Sequence, residues 1–190
     1  GHKVAEDEIG RFEPQNMRNS YPIGKIASEN LCCGYAQEYG IPAMSIRLTQ
    51  TFGAGVNYND TRVFAYFARC VKEKTNIVLK TKGETERCYL YTADAATAIL
   101  TVLLNGKAGE IYNAADEGTY CSISEMAEQV AKSGGIEVGY DIQDTATNGF
   151  PDTLYMDLDT NKLQEIGWCP LDGGRWLINM YERMLKYMKR

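Results

Sequence analysis

Histidine is nearly absent from this sequence: His2 is the only one, and it stands beside the terminus. A Ser-His-Asp triad and a histidine-rich metal site both lose their central group, so no metal is expected. The six cysteines, Cys32, Cys33, Cys70, Cys88, Cys121 and Cys169, include no CxxC pair and no framework spacing. They read as reduced, mostly buried thiols of a cytoplasmic protein. No apolar run is long enough to cross a bilayer, and the longest, residues 95–104, carries threonines and reads as a buried helix. No signal peptide, internal repeat or Pro/Ser-rich linker is visible. A basic tract is missing as well. With a formal net charge of −5 and a pI near 5.0, neither nucleic acid nor a membrane is an expected partner. Local arginines can still hold an anionic small molecule whatever the net charge.

What is present suits one domain with a real core: 190 residues, 44% of them hydrophobic. Residues 1–19 are polar and read as a surface loop. A helix opens at Ser20-Tyr21-Pro22 and runs to about Glu38, where Gly40 supplies a left-handed cap and Pro42 prevents continuation. Residues 43–48 read as an apolar strand interior to a sheet, and Thr51 to Gly55 as a break at its carboxyl end, where α/β sheets place ligands. A helix follows over 61–74, with Val63, Phe64, Phe67 and Val71 on one face. Strands are expected at 76–80, 87–91, 110–114 and 136–140, and helices at 93–104 and from Ser122 to about Lys132. Ser122 and Glu125 form a capping box. A short helix capped by Asp159 and a last one over 174–189 complete the chain. Strands alternate with helices throughout, so the fold class is α/β. One element is lacking. No strand with a Gly-rich turn precedes Tyr21, and the pairs Gly53/Gly55 and Gly134/Gly135 stand in other contexts.

Tyr21 and Lys25 are four apart and share one helical face. An ammonium beside a phenol favours its ionised form, which suits the pair to taking a proton from an alcohol or sugar hydroxyl. With thirteen tyrosines in the chain, the spacing alone arises by chance about once, so its context has to decide.

That context resembles the extended short-chain dehydrogenase/reductase family, specifically its nucleotide-sugar epimerases and dehydratases. Tyr21-Pro22-Ile23-Gly24-Lys25 with Ala27 and Glu29 is similar to the family's YxxxK helix. Ile46 to Ala54 resembles its Arg-x-x-Asn-x-Tyr-Gly-Pro strand end. Gly83 to Arg87, with Tyr89, Tyr91 and Asp94, resembles its Gly-x-x-x-Arg-Asp block. Gly109 to Asn113 and Lys162 to Pro170 are similar to the two motifs that follow, and Gly1 to the end of a Val-Tyr-Gly segment.

The resemblance implies an α/β fold that is the C-terminal part of an extended, Rossmann-type enzyme, with the N-terminal half missing. Residues 1–55 would end the NAD(P)-binding region, and 56–190 would be mostly the nucleotide-sugar region interleaved with late Rossmann elements. It also implies a cytoplasmic homodimer that uses NAD, with NADP as the alternative, on a nucleotide-diphosphate sugar. Tyr21 and Lys25 would be catalytic, and with Leu48 and Thr49 would bind the cofactor. Gln50, Arg87 and Asn113 would bind substrate, Arg87 as a bidentate diphosphate clamp. The expected reaction is 4-epimerisation through a 4-keto sugar, with 4,6-dehydration as the alternative and a non-catalytic binding module as the rival from another class. A reductase of apolar ketones would have no use for Arg87.

Some residues are expected to be structural: Arg47 buried and paired, Asp94 at a helix start, Trp168 and Trp176 in packing, and Asn113 divided between loop and ligand. The sequence departs from the family at Gln50 (usually Asn), at Cys88 (usually Asp) and near Leu154 and Tyr155, where an Arg is usual. The sugar is therefore expected to be other than the commonest ones.

Overall fold

The computed structural model describes residues 2–10, 12–142, 153–171 and 177–188. The expectations for Gly1, Trp176 and residues 174–176 lie outside them. A single 3-10 turn at Met17–Asn19 leads into α1 (Ser20–Tyr39), which ends at Gly40 with φ 65° as expected. Then come β1 (Ser45–Leu48), β2 (Gln50–Phe52), α2 (Val63–Glu73), β3 (Ile77–Leu79) and β4 (Glu86–Tyr91). α3 (Thr92–Asn105), β5 (Ile111–Ala114), β6 (Asp116–Ser122), α4 (Ile123–Gly134) and β7 (Val138–Tyr140) follow. β8 (Tyr155–Met156), α5 (Asn161–Glu165) and α6 (Leu177–Tyr187) close the series.

Among the described residues three small sheets result. β1 pairs in parallel with β5, from Ser45 opposite Ile111 to Leu48 opposite Ala114. β2 runs parallel to β4, which is antiparallel to β6 and parallel to β8. β3 pairs with β7. Thr49 is where the chain leaves the first sheet for the second: its N–H donates to the Ala114 carbonyl at 3.1 Å and its hydroxyl to the Cys88 carbonyl at 2.7 Å. Such a switch at the carboxyl end of a parallel strand leaves an open crevice.

The largest core lies between the second sheet and the helices α2, α4 and α6. Phe52 stacks on Phe64 with centroids 4.6 Å apart and meets Tyr89 and Tyr181 edge-on at 5.7 and 5.2 Å. A second core joins α3 and β5 to Leu163 and Trp168, whose indole N–H donates to the Thr97 hydroxyl at 3.1 Å. Trp168 thus packs as expected. Two glycines hold the second sheet's ends. A Cβ at Gly53 would sit 2.4 Å from the Tyr91 ring. At Gly83, with φ 71°, it would meet the Ser124 nitrogen at 2.9 Å.

Several expectations need correcting. Thr51 and Phe52 do not break regular structure. They belong to β2, because burying Phe52 in the main core keeps the chain extended against β4. Among the described residues β1 pairs only with β5, so it is not interior; Leu48 is 41% exposed. β6 and β8 were not expected, since neither carries an alternating apolar pattern. The first residues do more than cover the surface. Val4 forms an isolated parallel bridge to Leu158, donating to the Asp157 carbonyl at 2.7 Å and accepting from the Asp159 N–H at 2.9 Å. Thr160 takes the cap position of α5, and Asp159 accepts from the Asn161 N–H at 2.8 Å.

The capping box is formed: Ser122 Oγ accepts from the Glu125 N–H at 3.0 Å, and the Glu125 carboxylate accepts from the Ser122 N–H at 2.8 Å. Ser122→Ala is expected to cost about 1 kcal/mol. A urea midpoint unchanged from wild type would show that another group caps α4.

α1 buries none of its residues, and Leu31, Tyr35 and Tyr39 are exposed along it. Leu100, Leu103 and Leu104 of α3 are exposed too. No helix among the described residues is long and apolar enough to cross a membrane.

Candidate active site

Asn16 opens the approach to α1 by accepting from the Arg18 N–H at 3.1 Å, and the first helical turn then presents Tyr21. The Lys25 ammonium lies 5.4 Å from the Tyr21 ring centroid, so the shared face read from the spacing is formed. One turn further, Glu29 accepts from Arg47 Nε and Nη2 at 2.7 and 2.9 Å, and Arg47 Nη1 donates to the Glu6 carbonyl at 3.0 Å. Arg47 is paired as expected but half-buried rather than buried, its pKa raised above the ordinary guanidinium value chiefly by the Glu29 hydrogen bond. It ties α1, β1 and the first residues of the chain into one frame.

Within that frame Tyr21 and Lys25 border a cleft of about 670 Å³ that Ile9, Phe12, Leu48 and Met156 also line. Tyr21 is 73% exposed, and its hydroxyl is open to an incoming ligand. Two carboxylates line the same cleft. Glu29 is held by Arg47. Glu8 accepts from the Ala5 N–H at 3.0 Å and from His2 at 2.8 Å, and these bonds, the Ala5 amide foremost, hold its carboxyl below the usual range.

A second cleft of about 420 Å³ opens at the Thr49 switch. Gln50, Arg62 and Arg87 line it, and so do Leu48 and Met156, which therefore border both clefts. Arg62 is bonded through Nη2 and Nε to Asp60 at 2.6 and 3.0 Å. Arg87 differs: its Nε is buried without a hydrogen-bond partner, and no carboxylate among the described residues pairs with it. The neighbouring Cys88 thiol donates instead to Asp157 at 3.4 Å.

The structure thus brings together Tyr21, Lys25, Leu48, Thr49, Gln50 and Arg87. It leaves out Asn113, expected to touch substrate. That residue is fully buried, lines neither cleft, and donates through Nδ2 to the carbonyls of Val4 and Asp159 at 3.0 and 3.2 Å. Its amide nitrogen is spent in fastening the first residues to β5, while its Oδ1 is buried without a hydrogen-bond partner. Asp94 stands in the first turn of α3 and accepts from the Leu171 N–H at 2.8 Å, a structural place as expected.

Sequence reasoning missed Arg62, Met156, Ile9 and Phe12. The Asp60-x-Arg62 pair before α2 was the one available signal. Cys70, Cys88 and Cys121 are buried, while Cys169 is exposed. Burial pushes the Cys88 and Cys121 thiols up to about 12, which leaves them protonated and unreactive at neutral pH.

Comparison with known proteins adds a family to this geometry. A trifunctional UDP-glucose 4,6-dehydratase/epimerase/reductase of Arabidopsis thaliana is 27% identical over 173 residues, covering 89% of this chain and 25% of the relative. A dTDP-glucose 4,6-dehydratase of Streptomyces niveus is 28% identical over 151 residues, covering 79% and 44%. The chain thus spans less than half the length of these curated relatives. The structure of a UDP-glucose 4-epimerase from Thermotoga maritima with UDP-glucose superposes with a TM-score of 0.74 at 23% identity, covering 88% of this chain and 52% of that one. That likeness shows a Rossmann-like α/β fold. The profile described as "NAD dependent epimerase/dehydratase family" matches residues 2–115, more than half of the sequence and all but one of the residues bordering the two clefts, so the chain belongs to the NAD-dependent epimerase/dehydratase family.

Proposed function

We propose that this chain is the C-terminal part of an NAD-dependent nucleotide-sugar 4-epimerase. The observation that carries the reading is the meeting of two clefts at Leu48 and Met156, one holding a Tyr/Lys pair and the other an unneutralised arginine. A nucleotide sugar spans such a pair of clefts, with its sugar hydroxyl at Tyr21 and its diphosphate at Arg87.

NAD, when bound, supplies the acceptor and donor of the C4 hydride. The residues present fit its nicotinamide-ribose end, because the Lys25 ammonium has no ion-pair partner among the described residues and faces the open cleft. Lys25 would hold the ribose hydroxyls there, with its ammonium beside the Tyr21 ring. Tyr21 takes the proton of the C4 hydroxyl as the 4-keto sugar forms, and returns it when the carbonyl is reduced from the opposite face.

A 4,6-dehydratase would need a further acid/base pair. Among the described residues of the cleft, Glu29 is ion-paired and Glu8 is held ionised, so neither is set as a proton donor. Epimerisation is preferred because it asks for nothing beyond Tyr21 and Lys25; a dehydratase's pair would come from the part of the enzyme outside this chain.

Two observations support the reading as part of a longer enzyme. The sequence holds no Gly-rich turn after a strand, and the apolar faces of α1 and α3 are exposed. The test uses the complete protein with NAD and UDP-, dTDP- and CDP-hexoses, following products by NMR. Inversion at C4 is expected. An unsaturated or 6-deoxy-4-keto product would establish dehydration instead, and no turnover with any hexose would refute the reading. The 190-residue chain alone is expected to bind NAD weakly, since the backbone donors that hold a pyrophosphate belong to that Gly-rich turn. Micromolar affinity by calorimetry would show that it binds the cofactor unaided.

A further inference from the structure

We infer that Tyr89 is the positioning residue for Arg87. Once a diphosphate draws the two Nη groups into the cleft, Arg87 Nε donates to the Tyr89 hydroxyl oxygen, and the guanidinium fork is held facing the ligand. The inference rests on the reading of Arg87 as the diphosphate-binding group and adds the residue that orients it.

Two buried side-chain atoms of β4 have no hydrogen-bond partner: Arg87 Nε and the Tyr89 hydroxyl. Side chains two apart on a strand share one face of the sheet. The cores follow that alternation, since Tyr89 and Tyr91 pack in the main one while Cys88 and Leu90 belong to the other two. Cys121, opposite Arg87 in the β4–β6 register, lies in the same core as Tyr89. The phenol feels both members of that register pair: burial raises its pKa most, Cys121 raises it further, and the Arg87 guanidinium opposes them. Neighbouring polar groups are engaged elsewhere. Glu86 accepts from the Tyr120 hydroxyl at 2.8 Å, Asp157 from the Cys88 thiol at 3.4 Å, and Glu125 closes the capping box. The Tyr181 hydroxyl donates to the Met126 sulfur at 3.6 Å.

A guanidinium only donates and a phenol oxygen can accept, so a single bond between Nε–H and the hydroxyl oxygen serves both atoms. Tyr89 is a fixed post for that bond. Its ring is fully buried and meets Phe52 edge-on at 5.7 Å, and its N–H donates to the Thr119 hydroxyl at 2.8 Å. Arg87 has the opposite problem, because a long side chain loses rotamer freedom when it takes hold of an anion. Fastening Nε to an immobile oxygen leaves Nη1 and Nη2 side by side, the geometry of bidentate contact. Packing alone does not account for this hydroxyl. A phenylalanine would fill the same space without burying an unpaired oxygen, which costs stability.

The experiment measures UDP affinity by calorimetry, together with melting temperature, for the complete protein, Tyr89→Phe, Arg87→Ala and the double variant. Tyr89→Phe keeps the ring and is expected to weaken UDP binding by about tenfold, while the melting temperature holds or rises because an unpaired buried hydroxyl is gone. In the Arg87→Ala background the same change should leave affinity unmoved, since the hydroxyl acts only through the guanidinium. By NMR, the Arg87 Nε–H signal, identified by its absence from Arg87→Ala, should shift downfield with UDP in wild type and stay near its free position in Tyr89→Phe. An unchanged UDP affinity in Tyr89→Phe would give Nε to another group, the cleft-lining Gln50 amide first, and overturn the inference. Equal losses with and without Arg87, or a lowered melting temperature in Tyr89→Phe, would overturn it too, and all three results leave Arg87 as the diphosphate-binding group. If Arg87→Ala binds UDP as wild type does, the diphosphate reading itself falls and takes this inference with it.

Discussion

Replacing Tyr21 by Phe is expected to lower turnover of the complete enzyme by about 10²–10⁴-fold while nucleotide-sugar affinity stays nearly unchanged, because only the proton acceptor is removed. The ring remains, so its contact with the Lys25 ammonium and its place at the cleft are kept. Stability should not move either, since Tyr21 is largely exposed and no residue of α1 is buried. That separates a chemical effect from a structural one. Among the described residues of the cleft no other group is positioned to take over: Glu29 is paired with Arg47, Glu8 with the Ala5 amide and His2, and His2 itself does not line it. Single-turnover absorbance of the reduced nicotinamide, with sugar affinity measured by calorimetry on the same variant, reads both quantities. A near-normal kcat in Tyr21→Phe would mean that the proton leaves by another route.

The legible parts of this molecule are those with local physical causes. α1 and α4 could be bounded to within a residue or two because Gly40, Ser122 and Glu125 act over one turn of chain. α2 was legible through the spacing of Phe64 and Phe67. The Tyr21/Lys25 face follows from helical geometry, and the motif order brought Gln50 and Arg87 with it. What was not legible depends on distant partners. β2, β6 and β8 have no pattern of their own; pairing with β4 makes them strands. Asn113 looked like a candidate contact because its two carbonyl partners, on Val4 and Asp159, lie 109 and 46 residues away. Met156 had no signal at all, yet it borders both clefts, because β8 is positioned only by its register with Glu86 and Arg87. A motif thus found the ends of the candidate groove, while its middle was set by tertiary packing.

Arg87→Ala is expected to weaken diphosphate binding by about tenfold or more, since charge-assisted hydrogen bonds contribute about 1.5–3 kcal/mol each and a guanidinium can make two to a diphosphate. Three features distinguish Arg87 from a structural ion pair. Its Nε is buried without a partner, a costly state that a bound anion would relieve. Cys88 stands where the family usually has Asp, and the nearby Asp157 is occupied by the Cys88 thiol, so the obvious local carboxylates are absent or engaged. Arg62, the other cation of the cleft, is already neutralised by Asp60. Arg87→Lys should fall between wild type and alanine, because an ammonium keeps the charge but not the fork. The two roles diverge in their effect on folding. If Arg87 held the structure together, alanine would lower the melting temperature. If it waits for a ligand, removing a buried unsatisfied donor should leave the melting temperature unchanged or raise it, while affinity for UDP, dTDP and CDP falls in parallel, since the diphosphate is what these share. A melting temperature that collapses while diphosphate affinity per folded molecule is preserved would return Arg87 to the scaffold, and would leave the second cleft without an anion-binding group.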